Sequence, residues 1–401
     1  MKLLFIILFC SILTCCSIVS SPKQSASPES IVLGSERLDD YLPLLQGKRV
    51  GVVANHSTTI KGTHLIDSLL SLGIDVTKIF SPEHGFRGEA DDGEHIINHT
   101  DPSTGLLVIS LYGNRRKPSH EDFSELDIVI FDIQDVGVRY YTYISTMHYV
   151  METCAEMNLP LLVLDRPNPN GFFVDGPILD TNFRSFVGMH PVPLVHGMTI
   201  GEFAQMINGE GWLNQGINCQ LTVIECLNYT HDSVYILPIR PSPNLPNQTS
   251  IYLYPSLGLF EGTVISIGRG TDFPFQVFGH PKLKDMPFTF TPESRPGASK
   301  NPPLKGELCY GVDLRDYDHS FFLQLKQINL DWLVYAYRSF PNNDKFFNSY
   351  FNSLTGSRQL RQQLIDGVDE QTIRESWKPG LDNFMEVRKG YLLYPDFNIK
   401  N

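Results

Sequence analysis

The segment Ser81-Pro82-Glu83-His84-Gly85-Phe86-Arg87-Gly88-Glu89 carries the residue best suited to chemistry in this chain of 401 residues. Glu83 follows a nearly continuous apolar run, Val76-Thr77-Lys78-Ile79-Phe80, and is hemmed in by Pro82 and His84-Gly85. A carboxyl at the end of a buried strand is poorly hydrated, which raises its pKa and makes it a proton donor near neutral pH. A donor of this kind acts as a general acid on a leaving group, and it needs a base or nucleophile on the other side of the reacting bond. Asp132 and Asp135, after the run Ile128-Val129-Ile130-Phe131, rank narrowly above Glu89, Asp91, Asp92 and Glu94, whose density suits a solvated loop or lid. Turn and cap bonding accounts for Asp132 and Asp135 equally well, so the second group stays open. His84, beside Glu83, is the histidine expected to act with it, and His56 and His196 are further candidates to orient or share its proton. Asp91, Asp92, His95 and His99 space two histidines four apart, but Gly93 interrupts the stretch and no HExxH is present, so no metal is expected.

The elements that must position these residues follow from hydrophobic patterning. Arg49–Ala54, Val76–Phe80, Leu106–Leu111, Ile128–Phe131 and Leu161–Leu164 are almost unbroken apolar runs, as strands covered on both faces require. Helical spacing at His64–Leu70 and Tyr141–Asn158 alternates with them. The expected fold is α/β: a Rossmann-like, doubly wound, mostly parallel sheet with right-handed crossovers, followed by a smaller α+β auxiliary domain. Polar residues gather where the strands end: Asn55-His56-Ser57-Thr58, the Glu83 segment, Asp132 to Tyr141, and Asp165-Arg166-Pro167-Asn168. Open parallel sheets bind ligands outside the carboxyl ends of their strands, so these turns should converge on one crevice. No GxGxxG or GxxxxGK[ST] stands at any of them, and no cofactor is expected. Further on, Thr199–Gly209 has helical spacing and Gln220–Ile224 reads as a strand. Ile251–Gly270 reads as ordered loop, and Ser320–Tyr337 and Asp344–Ile365 as helices with Pro341 and Gly356 as breakers.

Lys and Arg number 32 against 44 Asp and Glu, a net charge of -12 that argues against nucleic acid as a partner. Lys2 followed by Leu3 to Phe9 has the form of an export signal. Ile12-Leu13-Thr14-Cys15-Cys16 looks like a lipobox, with Cys15 or Cys16 as the lipidated residue, and the Ser- and Pro-rich stretch that follows suits a tether. The expected organisation is residues 1–16 as signal and lipobox, 17–30 as tether, 31–275 as the catalytic domain and 276–401 as the auxiliary domain. Cys154, Cys219, Cys226 and Cys309 fit no zinc or disulfide pattern and read as core or inert thiols.

Taken together, Asn55-His56-Ser57, Ser81 to Gly88, Asp132 to Tyr143 and Asp165-Arg166-Pro167-Asn168-Pro169 resemble the exo-beta-N-acetylmuramidases of the NamZ type. The resemblance continues through His196-Gly197-Met198-Thr199-Ile200-Gly201-Glu202, Pro241-Ser242-Pro243-Asn244-Leu245, Glu261-Gly262-Thr263 and Trp377-Lys378-Pro379-Gly380-Leu381, and so covers nearly the whole chain after the tether. It implies an enzyme that releases N-acetylmuramic acid from the non-reducing ends of peptidoglycan fragments, with the catalytic glutamate in the Pro-Glu-His-Gly motif. The substrate's acetamido group is then another candidate nucleophile, which leaves the stereochemistry open. The lactyl carboxylate of muramic acid calls for a guanidinium, with Arg87, Arg139, Arg166 and Arg269 as candidates. Tyr140, Tyr141 and Tyr143 offer ring faces to a sugar, and Asn55, His56, Asp165, His196 and Asn244 complete the expected binding set. The expected partners are muropeptides or disaccharides, reached by an exported lipoprotein on the periplasmic side or at the cell surface. Two alternatives stand beside this reading: a non-catalytic muropeptide-binding lipoprotein, and an amidase or esterase using Ser57 or Ser81, which lacks a GxSxG elbow.

Overall fold

The computed structural model describes residues 30–83, 85–87 and 98–398. The region from Ile31 onward is built on a seven-stranded sheet. In chain order the strands are β1 (Arg49–Ala54), the short hairpin β2 (Thr59–Ile60) and β3 (Thr63–His64), β4 (Asp75–Ser81), β5 (His99–Thr100), β6 (Leu107–Ser110), β7 (Ile128–Asp132), β8 (Leu161–Leu164) and β9 (Leu221–Ile224). The large sheet runs β5-β6-β4-β1-β7-β8-β9, and every pairing is parallel except the edge strand β5. The expected mostly parallel, Rossmann-like sheet is therefore present. The strand order changes direction at β1, between β4 and β7, where such sheets open a crevice.

Period-two alternation sorts the strand side chains between two faces. Val50, Val52, Ala54, Ile79, Ile130 and Leu162 pack with α1 (Leu38–Leu45) and α2 (Leu65–Ser71). Val53, Phe80, Val129, Phe131 and Val163 face the opposite way, toward α4 (Tyr143–Met157) and α5 (Ile200–Gly209); α3 (His120–Phe123) lies between β6 and β7 in the chain. Each fully buried side chain of this size contributes about 1.5–3 kcal/mol, which is why strand runs apolar on both faces are stable only inside such a sandwich.

That second core continues without a break into the rest of the chain. It takes in α6 (Gln248–Leu257), α7 (His319–Leu325), α8 (Asp331–Ser339), α9 (Tyr350–Thr355), α10 (Gln359–Ile365) and α11 (Glu370–Arg388). A three-stranded antiparallel sheet, order β10 (Val277–His280), β12 (Cys309–Asp313), β11 (Phe288–Phe290), stands beside them. Helix α6 falls where ordered loop is expected from the sequence. It is buried on every side and contains Pro255, so it shows no amphipathic period to read. The segment 320–337, expected as one helix, is broken in two at Lys326, φ 48°, while 344–365 is interrupted at Gly356, φ 73°, one of the expected breakers.

Candidate active site

The turn after β4 sets the position of Glu83. The Gly85 amide donates to the Pro82 carbonyl at 3.1 Å, and Gly85 adopts φ 74°, a conformation that favours glycine. Glu83 therefore stands at the tip of a tight turn, half-buried, at the carboxyl edge of the sheet. The Leu111 amide donates to Ser81 O at 2.8 Å and extends the β4–β6 pairing one step, which brings Tyr112 into the same hollow.

A second loop, after β7, supplies the wall. Asp135 accepts from the Gly137 amide at 2.7 Å, and Gly137 takes φ 76°. The Tyr141 amide closes on Val138 O at 2.8 Å. This folding presents Tyr140, Tyr141 and Tyr143 in sequence, with Tyr140 donating to the carbonyls of Tyr254 and Pro255 and Tyr141 to that of Pro241. Asn55 donates to the Tyr143 phenol at 3.0 Å, so the turn after β1 braces the wall without entering the cavity. Burial raises the Tyr143 pKa, and the nearby Glu83 carboxylate raises it further, so the phenol stays a neutral hydrogen-bonding group beside the acid.

Together these residues line a cavity of about 470 Å³ with Thr142, Ser185, Phe186, Val187, Ser242, Asn244, Leu245, Tyr254, Glu261, Arg269, Phe275, Tyr350, Ser353 and Arg116. Eight aromatic rings, two glutamates and two arginines meet in a hollow of the size that holds a small ligand. Glu261, at the end of the turn after α6, accepts from Arg269 Nε at 3.0 Å and Nη2 at 2.8 Å. Arg269 also lies over the Phe275 ring at 5.0 Å.

Of the residues expected from the sequence, the structure brings Glu83, Tyr140, Tyr141, Tyr143, Asn244 and Arg269 to this cavity. The others it uses as framework. Asp132 and Arg166 form a buried two-pronged ion pair, 2.5 and 2.9 Å, so the carboxylate is already matched to a guanidinium. Asp135 is buried behind the tyrosine wall, where desolvation lifts its pKa to about 7, and its Oδ2 lies 3.9 Å from His196 Nε2. His196 is fully buried, accepts from the Met198 amide, and is held neutral with a pKa lowered to about 3. Arg139 is fully buried and donates to the carbonyls of Pro177, Val192 and Leu354 at 2.8, 2.5 and 3.0 Å. Asp165 accepts from Thr199, Tyr394 and the Gly201 amide and ties the end of β8 to α5. His56 Nε2 donates to the Arg240 carbonyl, and Arg87 pairs with Asp101. Most of the polar atoms of these groups hold loops together, as buried polar atoms generally must find partners, although Asp135 Oδ1, Arg139 Nε and His196 Nε2 are buried with no hydrogen-bond partner among the described residues. His84, Asp91, Asp92, His95, Cys15 and Cys16 lie outside the described residues.

Tyr112, Arg116, Phe186, Tyr254, Phe275 and Tyr350 carried no signal of their own in the sequence. Glu261 appeared only within a family-like motif.

Residues 50–249 match the N-terminal family model of the exo-beta-N-acetylmuramidase NamZ, and residues 252–394 match its C-terminal model. The peptidoglycan beta-N-acetylmuramidase NamZ of Bacillus subtilis (strain 168) is 38% identical over 395 residues, covering 93% of this chain and 94% of the relative. Two crystal structures of DUF1343 family proteins from Bacteroides fragilis NCTC 9343 superpose on the chain. One has a TM-score of 0.85 at 46% identity, covering 92% of this chain and all of the other. The second has a TM-score of 0.75 at 30% identity, covering 91% of this chain and 99% of the other. With both halves matched and a relative this similar along almost its entire length, the chain belongs to the NamZ family of exo-beta-N-acetylmuramidases.

Proposed function

We propose that this protein is a glycosidase that releases N-acetylmuramic acid from the non-reducing ends of peptidoglycan fragments, with Glu83 as the proton donor. The observation that carries the mechanism is that Glu83 and Glu261, 178 residues apart in the chain, line one tyrosine-walled cavity. Two carboxyl groups facing a common hollow are the usual equipment for breaking a glycosidic bond. Glu83, half-buried on its turn, gives its proton to the departing oxygen. Glu261 is held in place by two bonds from Arg269, so it answers the positive charge that develops on the sugar or activates water. The tyrosines and Phe275 give the sugar's apolar faces something to stack on and exclude water.

The test is turnover of a chromogenic β-N-acetylmuraminide beside the matching glucosaminide. Release from the muraminide, lost in Glu83→Gln while the sugar still binds, supports the reading. A wild-type protein that binds without turnover points instead to the carrier role, and normal turnover in Glu83→Gln removes that residue from catalysis.

We also propose export and lipid anchoring through Cys15 or Cys16. The support is the apolar run after Lys2 and the Ser- and Pro-rich stretch beyond it. Among the described residues no helix is long and apolar enough to cross a membrane. Replacing both cysteines by serine should move the protein from the membrane fraction to the soluble one; unchanged fractionation would refute the anchor.

A further inference from the structure

A carboxylate-bearing sugar that enters this cavity meets two glutamates, so it needs a counter-charge that no protein carboxylate has already claimed. Arg269 is engaged by Glu261. Among the described residues the other cation on the cavity wall is Arg116, the middle member of Arg115-Arg116-Lys117. Its neighbours are both pinned by acids. Arg115 bonds Asp122 at 2.5 and 2.6 Å, and Lys117 bonds Glu152 and Glu156. Arg116 instead lies over the Phe186 ring, 4.3 Å from its centroid, and makes no ion pair with an acid among the described residues.

The platform beneath it is built. Phe186 sits at the tip of a turn closed by reciprocal bonds between Ser185 and Gly188, at 2.9 and 3.1 Å. It stacks in turn on Tyr149 of α4, with planes 10° apart. Stacking on an aromatic face holds a guanidinium in place while leaving its in-plane donors for an anion. We infer that Arg116, presented by Phe186, is the specificity residue that recognises the carboxylate of the substrate's lactyl substituent. This rests on the proposed muramidase reading and adds to it the group that separates muramic acid from glucosamine.

The experiment compares a chromogenic β-N-acetylmuraminide carrying the free lactyl carboxylate with its lactyl methyl ester. The assay is run on wild type, Arg116→Gln and Arg116→Lys. Wild type should prefer the acid over the ester in kcat/KM, and Arg116→Gln should lower that preference about tenfold, chiefly through KM, the size expected for one charge-assisted bond. Arg116→Lys should restore part of it, since it keeps the charge but not the planar fork. Added salt should weaken the wild-type preference and leave the Arg116→Gln ratio flat. Arg116 is exposed, so unchanged thermal unfolding shows that the variants are folded. An Arg116→Gln protein that keeps the wild-type ratio overturns the inference, as does a wild type that does not distinguish acid from ester. A wild type inert toward both sugars instead overturns the muramidase reading itself.

Discussion

Replacing Asp132 decides whether this aspartate does chemistry or holds the scaffold. Its carboxylate is 0% exposed and grips Arg166, 4% exposed, through two parallel bonds of 2.5 and 2.9 Å. Asp132→Asn leaves the guanidinium buried beside a neutral amide, and breaking one side of such a pair costs about 3–5 kcal/mol. Exchanging both partners for apolar residues, Asp132→Leu with Arg166→Met, removes charge and counter-charge together and should recover most of that loss. Arg166→Met alone strands the carboxylate in the same way and should cost a similar amount. Guanidinium unfolding followed by tryptophan fluorescence measures these losses, and turnover per folded molecule at low temperature measures chemistry. The expected outcome is a large stability loss in the single variants, partial recovery in the double, and activity of the folded fraction within about tenfold of wild type. Wild-type stability combined with abolished turnover in Asp132→Asn would refute the structural assignment.

Three other outcomes follow from the same geometry. Burial lifts Asp135 to about pH 7, so between roughly pH 4 and 7 the folded state keeps a proton that the unfolded state has lost, and this residue's contribution falls as pH rises. Asp135→Asn should therefore gain stability relative to wild type progressively across that window; a pH-independent difference in unfolding midpoints would contradict it. Arg139→Met strips the donor from three buried carbonyls and should cost at least about 3 kcal/mol in denaturant unfolding while leaving the preference for the acid over the ester unchanged. A changed preference with little loss of stability would return Arg139 to the binding site. Gly258→Ala would place a Cβ 2.6 Å from the Tyr140 ring; it should cost about 1–3 kcal/mol and raise KM several-fold as the wall shifts. Unaltered kinetics would show that Tyr140 does not shape the sugar site.

The unbroken apolar runs at Arg49–Ala54, Ile128–Asp132 and Leu161–Leu164 announced a parallel sheet, because only strands buried on both faces can be apolar at every position. Glu83 was legible for a related reason: a single carboxylate between proline and glycine at such a strand's end has little to do locally. Tyr140 and Tyr141 stood out by density. Arg139 and Arg166 were as conspicuous in the sequence as Arg116 was not, yet the fold buried the first two as ties between loops and left the third on the cavity wall. Helix α6 was hidden because a helix surrounded by core has no polar face to set its period.

The sequence by itself determined the sheet, the gathering of polar turns at its carboxyl edge, and the glutamate at the tip of one of them, because these depend on local patterning and on where strands end. Only the tertiary structure decided which polar groups face the cavity and which are consumed in holding its walls. That division depends on partners far away in the chain: Asp132 with Arg166, Arg139 with Leu354, and Glu261, from beyond α6, sharing the hollow with Glu83. A buried polar side chain is claimed by whichever complementary group the fold delivers to it, and spacing along the chain does not encode that delivery.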